Sequence, residues 1–255
     1  LLFYALFRDG CRKEFFMIEF STIHFEEIDS TNTKCMSLAR NGAAHGTVVI
    51  ADCQNAGKGR LGRRFCSPKG AGLYCSVLIR KGFDMKNINL ITPCAAVATA
   101  KAIEELSGHE AKIKWVNDIF MGGRKLCGIL TEASLPDFAV IGIGINLLKN
   151  ELTEELHSIA TSIEEQTGKI ITPKEMLNTL LFHLSNELSN INDKAFLKEY
   201  KKRSFVIGKE VEVHSGNQIY NAKAIDIDEN AGLILELPDK TKQTLIAGEV
   251  SIKIK

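Results

Sequence analysis

The sequence predicts an α+β fold: a mixed sheet with helices, followed by a small C-terminal β-barrel of the SH3 type. Three observations carry this expectation. Strand-like runs crowd the stretch up to Leu147 with few crossover helices between them, which argues against a regular βαβ repeat. Three helical patterns then follow one another. After Ser204 the texture changes to short alternating strands, 208–215, 221–228, 232–237 and 243–254, broken by Asn, Gly and Asp turns.

Phe20–Ile28 alternates loosely and reads as a strand. Asp29-Ser30-Thr31-Asn32 supplies N-cap chemistry for a short helix that stops at Asn41-Gly42. Gly46–Cys53 is a β-branched run, and Gly72–Arg80 is a second strand beyond a glycine- and arginine-rich loop. Ile91–Leu106 is an alanine-rich helix whose small side chains permit close packing. Ala111–Met121 reads as a strand entering a turn, with Gly122-Gly123 reversing the chain into Lys125–Ala133, and Phe138–Leu147 follows as another strand.

In the second half, residues 151–166 place Leu152, Leu156, Ile159 and Ile163 on one helical stripe. Thr172-Pro173-Lys174-Glu175 has capping-box spacing with proline at the first helical position, before Leu177, Leu181, Leu184 and Leu188. Asp193 is placed to cap a third helix through Arg203. The expected organisation is an extension over residues 1–16 outside the working fold, a catalytic domain over 17–205 and a β domain over 206–255.

Composition narrows the function classes. The 255-residue chain is 45% hydrophobic and 25% charged, which suits an ordered globular fold. Its formal net charge is only +1, too little for a protein that lives on phosphate backbones. No nucleic-acid partner is expected. No apolar run reaches the length of a membrane span, so no membrane partner is expected either. The seven cysteines form no CxxC pair and sit beside no histidine cluster, which reads as small buried hydrophobes in a reducing, cytoplasmic setting.

Against that near-neutral background, Gln54–Phe65 (QNAGKGRLGRRF) gathers Lys58, Arg60, Arg63 and Arg64 around Gly57, Gly59 and Gly62. Glycines let backbone N–H groups converge on an oxyanion, and the basic side chains add charge-assisted hydrogen bonds. The spacing is not that of a Walker A loop. Taken alone, the stretch reads as an anion pocket, a nucleic-acid patch or a solvated loop. Lys114-Trp115-Val116-Asn117-Asp118 ends a strand; its Asn and Asp suit either a turn or, with a carboxylate facing cations, a Mg²⁺ anchor. By itself Trp115 reads as core and Lys125 as a solvated lysine. Gly142, Gly144 and Asn146 interrupt an apolar strand, as happens where a ligand or backbone approaches closely. No Ser/His/Asp arrangement presents itself, the six histidines sitting in unrelated local contexts.

Together DSTN (29–32), QNAGKGRLGR (54–63), KWVND (114–118), RKLCGIL (124–130) and GIGIN (142–146) resemble, in order and spacing, the biotin protein ligases. The resemblance runs from about Phe20 to Lys255. It implies the biotin/lipoate ligase fold and an ATP- and Mg²⁺-dependent biotin–[acetyl-CoA-carboxylase] ligase. Biotin would be adenylated to biotinyl-5′-AMP with release of pyrophosphate, then transferred to one lysine of a biotin carboxyl carrier domain. Lys125, Arg60 and Asp118 would carry the chemistry, with Asp118 also a Mg²⁺ ligand. Ser30, Thr31, Asn32 and Gln54 would meet biotin's polar head and its surroundings. Gly57, Lys58, Gly59, Arg60 and Arg63 would form a substrate-covering loop. Trp115, Asn117, Gly128, Gly142, Gly144 and Asn146 would complete the biotin and nucleotide site.

Where the family commonly has Arg, Trp and Pro, this chain has Lys58, Phe65 and Val116. The first motif begins at Asp29, which implies the ligase-only form without an N-terminal DNA-binding domain. A homodimer is left open. The alternatives are a lipoate–protein ligase of the same fold and, more remotely, a nucleic-acid-binding module.

Overall fold

The protein is described here by a computed structural model covering residues 18–80, 87–149 and 158–252. The expected 1–16 extension, Cys11, and Leu152 and Leu156 of the expected 151–166 helix lie outside the described residues.

Seven strands form one mixed sheet in the order β1-β2-β3-β7-β6-β5-β4. β1 (Ser21–Ile28), α1 (Thr31–Arg40) and β2 (Thr47–Gln54) make a parallel β-α-β unit. β3 (Gly72–Ile79), β4 (Lys112–Lys114), β5 (Asp118–Met121), β6 (Arg124–Ser134) and β7 (Phe138–Asn146) pair antiparallel. Every residue of β3 is buried because both faces of the sheet are covered. α1 packs over Val49, Leu78, Phe138 and Val140 on one face through Cys35 and Ala39. On the other face α2 (Ile88–Ser107) lies against β4 to β7, in one core with Ile129, Ile141 and Ile143. Alanines 95, 96, 98, 100 and 102 of α2 are fully buried, as close helix-to-sheet and helix-to-helix packing requires.

α4 (Pro173–Ser189) packs beside α2 and against β3, and begins with the expected capping box: Thr172 accepts from the Glu175 backbone N–H, and Glu175 returns to the Thr172 backbone. α5 (Phe196–Arg203) follows. A five-stranded antiparallel sheet closes the chain, ordered β11-β10-β9-β8-β12. Its strands are β8 (Glu210–Ser215), β9 (Gln218–Ile227), β10 (Leu233–Glu236), β11 (Lys242–Leu245) and β12 (Glu249–Ile252). This arrangement fits the SH3-like expectation.

Four local expectations are corrected. The helix expected over 151–166 is broken within its described part: α3 spans only Ile163–Thr167, and the Ser162 hydroxyl caps it by accepting from Glu165 N. Ile163 is buried whereas Ile159 is 61% exposed, so they share no stripe. Asp193 sits in a 3₁₀ turn, and Ala195 occupies the N-cap of α5 without a side-chain bond. Residues 111–121 form two strands, β4 and β5, because the chain reverses at 115–117 as well as at 122–123. The last expected strand, 243–254, is split between β11 and β12 at 246–248, where Gly248 adopts φ +141°, a region L side chains rarely enter.

The reversal at 115–117 is held from the C-terminal side. Trp115 Nε1 donates to Ala231 O at 2.9 Å, and Tyr200 Oη donates to Val116 O at 3.0 Å. Along 111–120 exposure alternates, so Ile113, Trp115, Asn117 and Ile119 point into protein. Lys114, Val116, Asp118 and Phe120 are half-buried on the other side.

Candidate active site

The period of two in the strands builds the floor of a cleft. Ile141, Ile143 and Ile145 of β7 face α2, leaving Gly142, Gly144 and Asn146 on the opposite face. Register aligns Ser76, Gly142 and Leu130 in one row and Tyr74, Gly144 and Gly128 in the next, across β3, β7 and β6. α1 covers the bulky end of this face, at Leu78 and Val140, and its first turn stands over the glycine end. The remaining trough is a cavity of about 580 Å³.

At the α1 end the lining is neutral and fully engaged. Gln54 Oε1 accepts from Thr31 N at 2.8 Å and Thr31 Oγ1 at 3.1 Å, while Gln54 Nε2 donates to Ser67 Oγ at 2.8 Å. The Ser76 hydroxyl donates to Asn32 Oδ1 at 2.6 Å and stands 2.8 Å from Thr31 Oγ1. Asn32 Nδ2 donates to Leu130 O and Glu132 Oε2. Ser30 caps α1. These side chains are fixed by packing and by each other, the condition for a site that recognises a polar, uncharged group.

The other end is cationic: six Lys and Arg side chains line the cleft against two carboxylates, Asp118 and Glu249. Lys125 Nζ meets Asp118 Oδ1 at 2.8 Å; that oxygen is out of solvent and has no other hydrogen-bond partner among the described residues. Arg60 donates to Asn117 Oδ1 at 2.9 Å and Gly248 O at 2.6 Å. Asn117 Nδ2 in turn donates to Ile129 O. Arg63 pairs with Glu249 at 2.6 Å, and Arg64 donates to Asn55 O. The loop carrying these arginines folds back as a tight hairpin, with Gly59 N bonded to Arg63 O and Phe65 N to Gly57 O. It spans from β2 to the edge of the C-terminal sheet.

All the sequence-predicted site residues line this one cleft except Gly57. Gly57 lies on the other side of the loop, where a Cβ would sit 2.4 Å from Phe65 O. Trp115 contributes its ring to the wall, but its N–H is committed to Ala231. The trough glycines accommodate the protein's own side chains. A Cβ on Gly142 would lie 2.0 Å from Asn32 Oδ1, and one on Gly144 would lie 2.5 Å from the Phe65 ring. Asn146 Nδ2 donates to Thr161 O.

The sequence reading leaves out Ser76, Ser67 and Glu249. Ser76 had a signal, a lone hydroxyl inside an apolar run; Glu249, 186 residues from Arg63, had none. As for a metal, Asp118 is already neutralised by Lys125. Among the described residues no cluster of three or more His, Cys, Asp or Glu gathers to hold one. The donor set therefore does not fit a resident Mg²⁺ at Asp118. The buried cysteines are inert, burial pushing the Cys35 and Cys75 thiols up to about 12; Cys66 is exposed at the cleft mouth.

Residues 24–146 match the description "Biotin/lipoate A/B protein ligase family", and residues 206–253 match "Biotin protein ligase C terminal domain". The chain is 32% identical over 230 residues to the bifunctional ligase/repressor BirA of Bacillus subtilis, covering 87% of this chain and 71% of that one. It is 31% identical to the biotin–[acetyl-CoA-carboxylase] ligase of Mycobacterium tuberculosis, covering 87% and 85%. Among solved structures, the biotin protein ligase from Aquifex aeolicus in complex with biotin and ATP superposes with a TM-score of 0.79. That match has 30% identity and covers 92% of this chain and 99% of that one. Identity at this level over nearly the whole described fold is more than a shared architecture: the chain belongs to the biotin protein ligases of the biotin/lipoate A/B protein ligase family.

Proposed function

We infer that the protein is an ATP-dependent biotin–protein ligase acting on the carrier domain of acetyl-CoA carboxylase. The observation that carries the reading is the two-ended cleft within a biotin protein ligase fold. One end is neutral and rigidly hydrogen-bonded, matching a ureido head; the other is cationic, matching a carboxylate beside a polyphosphate.

Mechanistically, two anions that repel each other must be aligned. Biotin lies along the trough with its head toward Thr31, Asn32 and Gln54, and its carboxylate reaches Lys125. The carboxylate oxygen attacks the α-phosphorus of ATP, the bond to the β-phosphate breaks, and pyrophosphate leaves. Lys125 and Arg60 neutralise charge as it builds on the α-phosphate; electrostatic stabilisation of this kind is usually the largest catalytic contribution. Mg²⁺ enters with ATP as part of the substrate. In the second step the acceptor lysine amine attacks the acyl carbon and AMP leaves. Asp118 stands beside that carbon's expected position and orients the amine or takes its proton. Arg60 and Arg63, held by Gly248 O and Glu249, tie the loop to the C-terminal sheet, so that sheet takes part in closing the cleft.

The test is transfer of label to a purified carboxyl carrier domain with ATP, Mg²⁺ and either biotin or lipoate. Biotin is expected to appear on the wild-type domain and not on one whose acceptor lysine is arginine. Transfer of lipoate but not biotin would move the protein to the lipoate branch.

A further inference from the structure

We propose that Lys114 is a further phosphate-contacting residue of the adenylation step, holding the β- and γ-phosphates of ATP and the pyrophosphate that departs. This rests on the ligase reading above and adds a role to it.

Lys114 stands directly opposite Asp118 in the β4–β5 register, so the two side chains emerge on the same face, into the cationic end of the cleft. Its surroundings are unusual for a half-buried ammonium. Among the described residues it has no hydrogen bond and no ion pair within 4 Å; Nζ lies 5.9 Å from the centre of the Phe120 ring. The two carboxylates within electrostatic reach are already engaged, Asp118 by Lys125 at 2.8 Å and Glu249 by Arg63 at 2.6 Å. Lys125 and Arg63 add like charge from either side. Burial, the largest effect, lowers the pKa of Lys114, and this repulsion lowers it further; Asp118 and Glu249 offset the loss only in part.

A cation withdrawn from water without its own counter-ion is costly unless a ligand supplies the charge. The incoming polyphosphate is such a ligand. Lys114 and Lys125 lie on strands separated by β5, roughly 10 Å apart at the backbone. Their long side chains can therefore reach different phosphates of one chain. Lys114 also stands on the sheet frame rather than the loop, so its position does not depend on loop closure. The neutral end of the trough, at Thr31 and Gln54, is remote from it, which separates its role from recognition of biotin.

The experiment uses the full chain with Lys114→Met and Lys114→Arg, measured in both half-reactions. In biotin-dependent ATP–pyrophosphate exchange, Lys114→Met is expected to raise KM for ATP and for pyrophosphate about 10- to 100-fold. Its KM for biotin should stay close to wild type. Transfer from preformed biotinyl-5′-AMP to a carrier domain should be nearly unchanged, and Lys114→Arg should recover part of the exchange. In the wild-type protein, pyrophosphate but not biotin should protect Lys114 from an amine-acylating reagent; this arm stands whether or not a variant folds. Unchanged KM values in Lys114→Met, an equal loss in both half-reactions, or protection by biotin alone would overturn the proposal. Absence of biotin-dependent exchange in the wild type would instead refute the ligase reading itself.

Discussion

Lys125→Ala is expected to lower biotin-dependent adenylate formation by about 10²–10³-fold, the effect of removing one well-placed donor from a developing anion. The chain should stay folded. The pair Lys125–Asp118 is partly open to solvent on the lysine side, with 36% exposure, so its contribution to stability is screened. Loss of the pair leaves Asp118 Oδ1 without its cation, and a cost of at most about 1–2 kcal/mol follows. The variant's fold is checked by thermal unfolding and its chemistry by single-turnover formation of labelled adenylate. Near-normal adenylation would remove Lys125 from the reacting centre, whatever its position in the cleft. Lys125→Arg is a useful companion. It keeps the charge but replaces a compact ammonium by a planar fork, and is expected to recover little activity.

Gly142→Ala is expected to damage both stability and biotin recognition, although it adds one methyl group. The added Cβ would lie 2.0 Å from Asn32 Oδ1 and 2.7 Å from Asn32 Cγ. Asn32 cannot swing aside cheaply, because Ser76 holds its oxygen and Leu130 O and Glu132 hold its nitrogen. Overpacking and lost buried hydrogen bonds together predict a destabilisation of about 2–4 kcal/mol. Because Thr31 is linked to Asn32 through Ser76, the neutral end of the cleft should be disturbed as well. Chemical denaturation and biotin titration calorimetry read the two effects separately. A variant as stable as wild type with unaltered biotin affinity would mean that Asn32 is not fixed in the way these contacts imply. Gly123→Ala is the control: nothing lies within 4 Å of its Cβ direction, and its φ of +80° isolates backbone strain from steric conflict.

Much of the architecture is legible in the chain because local chemistry and tertiary packing agree there. Ser30 as N-cap and the Thr172–Glu175 box satisfy helix ends locally, and the apolar runs of β2, β3 and β7 match the core they enter. Expectation fails where a distant partner decides. The reversal at 115–117 is held by bonds to Ala231 O and from Tyr200 Oη, and the same residues otherwise continue a strand pattern. The break at Thr161 has a similar origin: Thr161 N bonds Lys125 O and its carbonyl accepts from Asn146, which draws the segment to the sheet and out of a helix. The site divides in the same way. Its basic loop and its glycines stand out locally, but their grouping rests on strand register. Ser76 and Glu249 reach the cleft only through contacts across 44 and 186 residues. The glycines were expected to clear space for a ligand; in the fold they clear it for Asn32 and Phe65.

The central claim is that this cleft activates biotin with ATP. The most direct measurement is exchange of labelled pyrophosphate into ATP by the purified chain, without acceptor protein, in the presence of biotin, of lipoate or of neither. Biotin-dependent exchange with no response to lipoate is the predicted result. Exchange with lipoate alone, or no exchange with biotin, would contradict it.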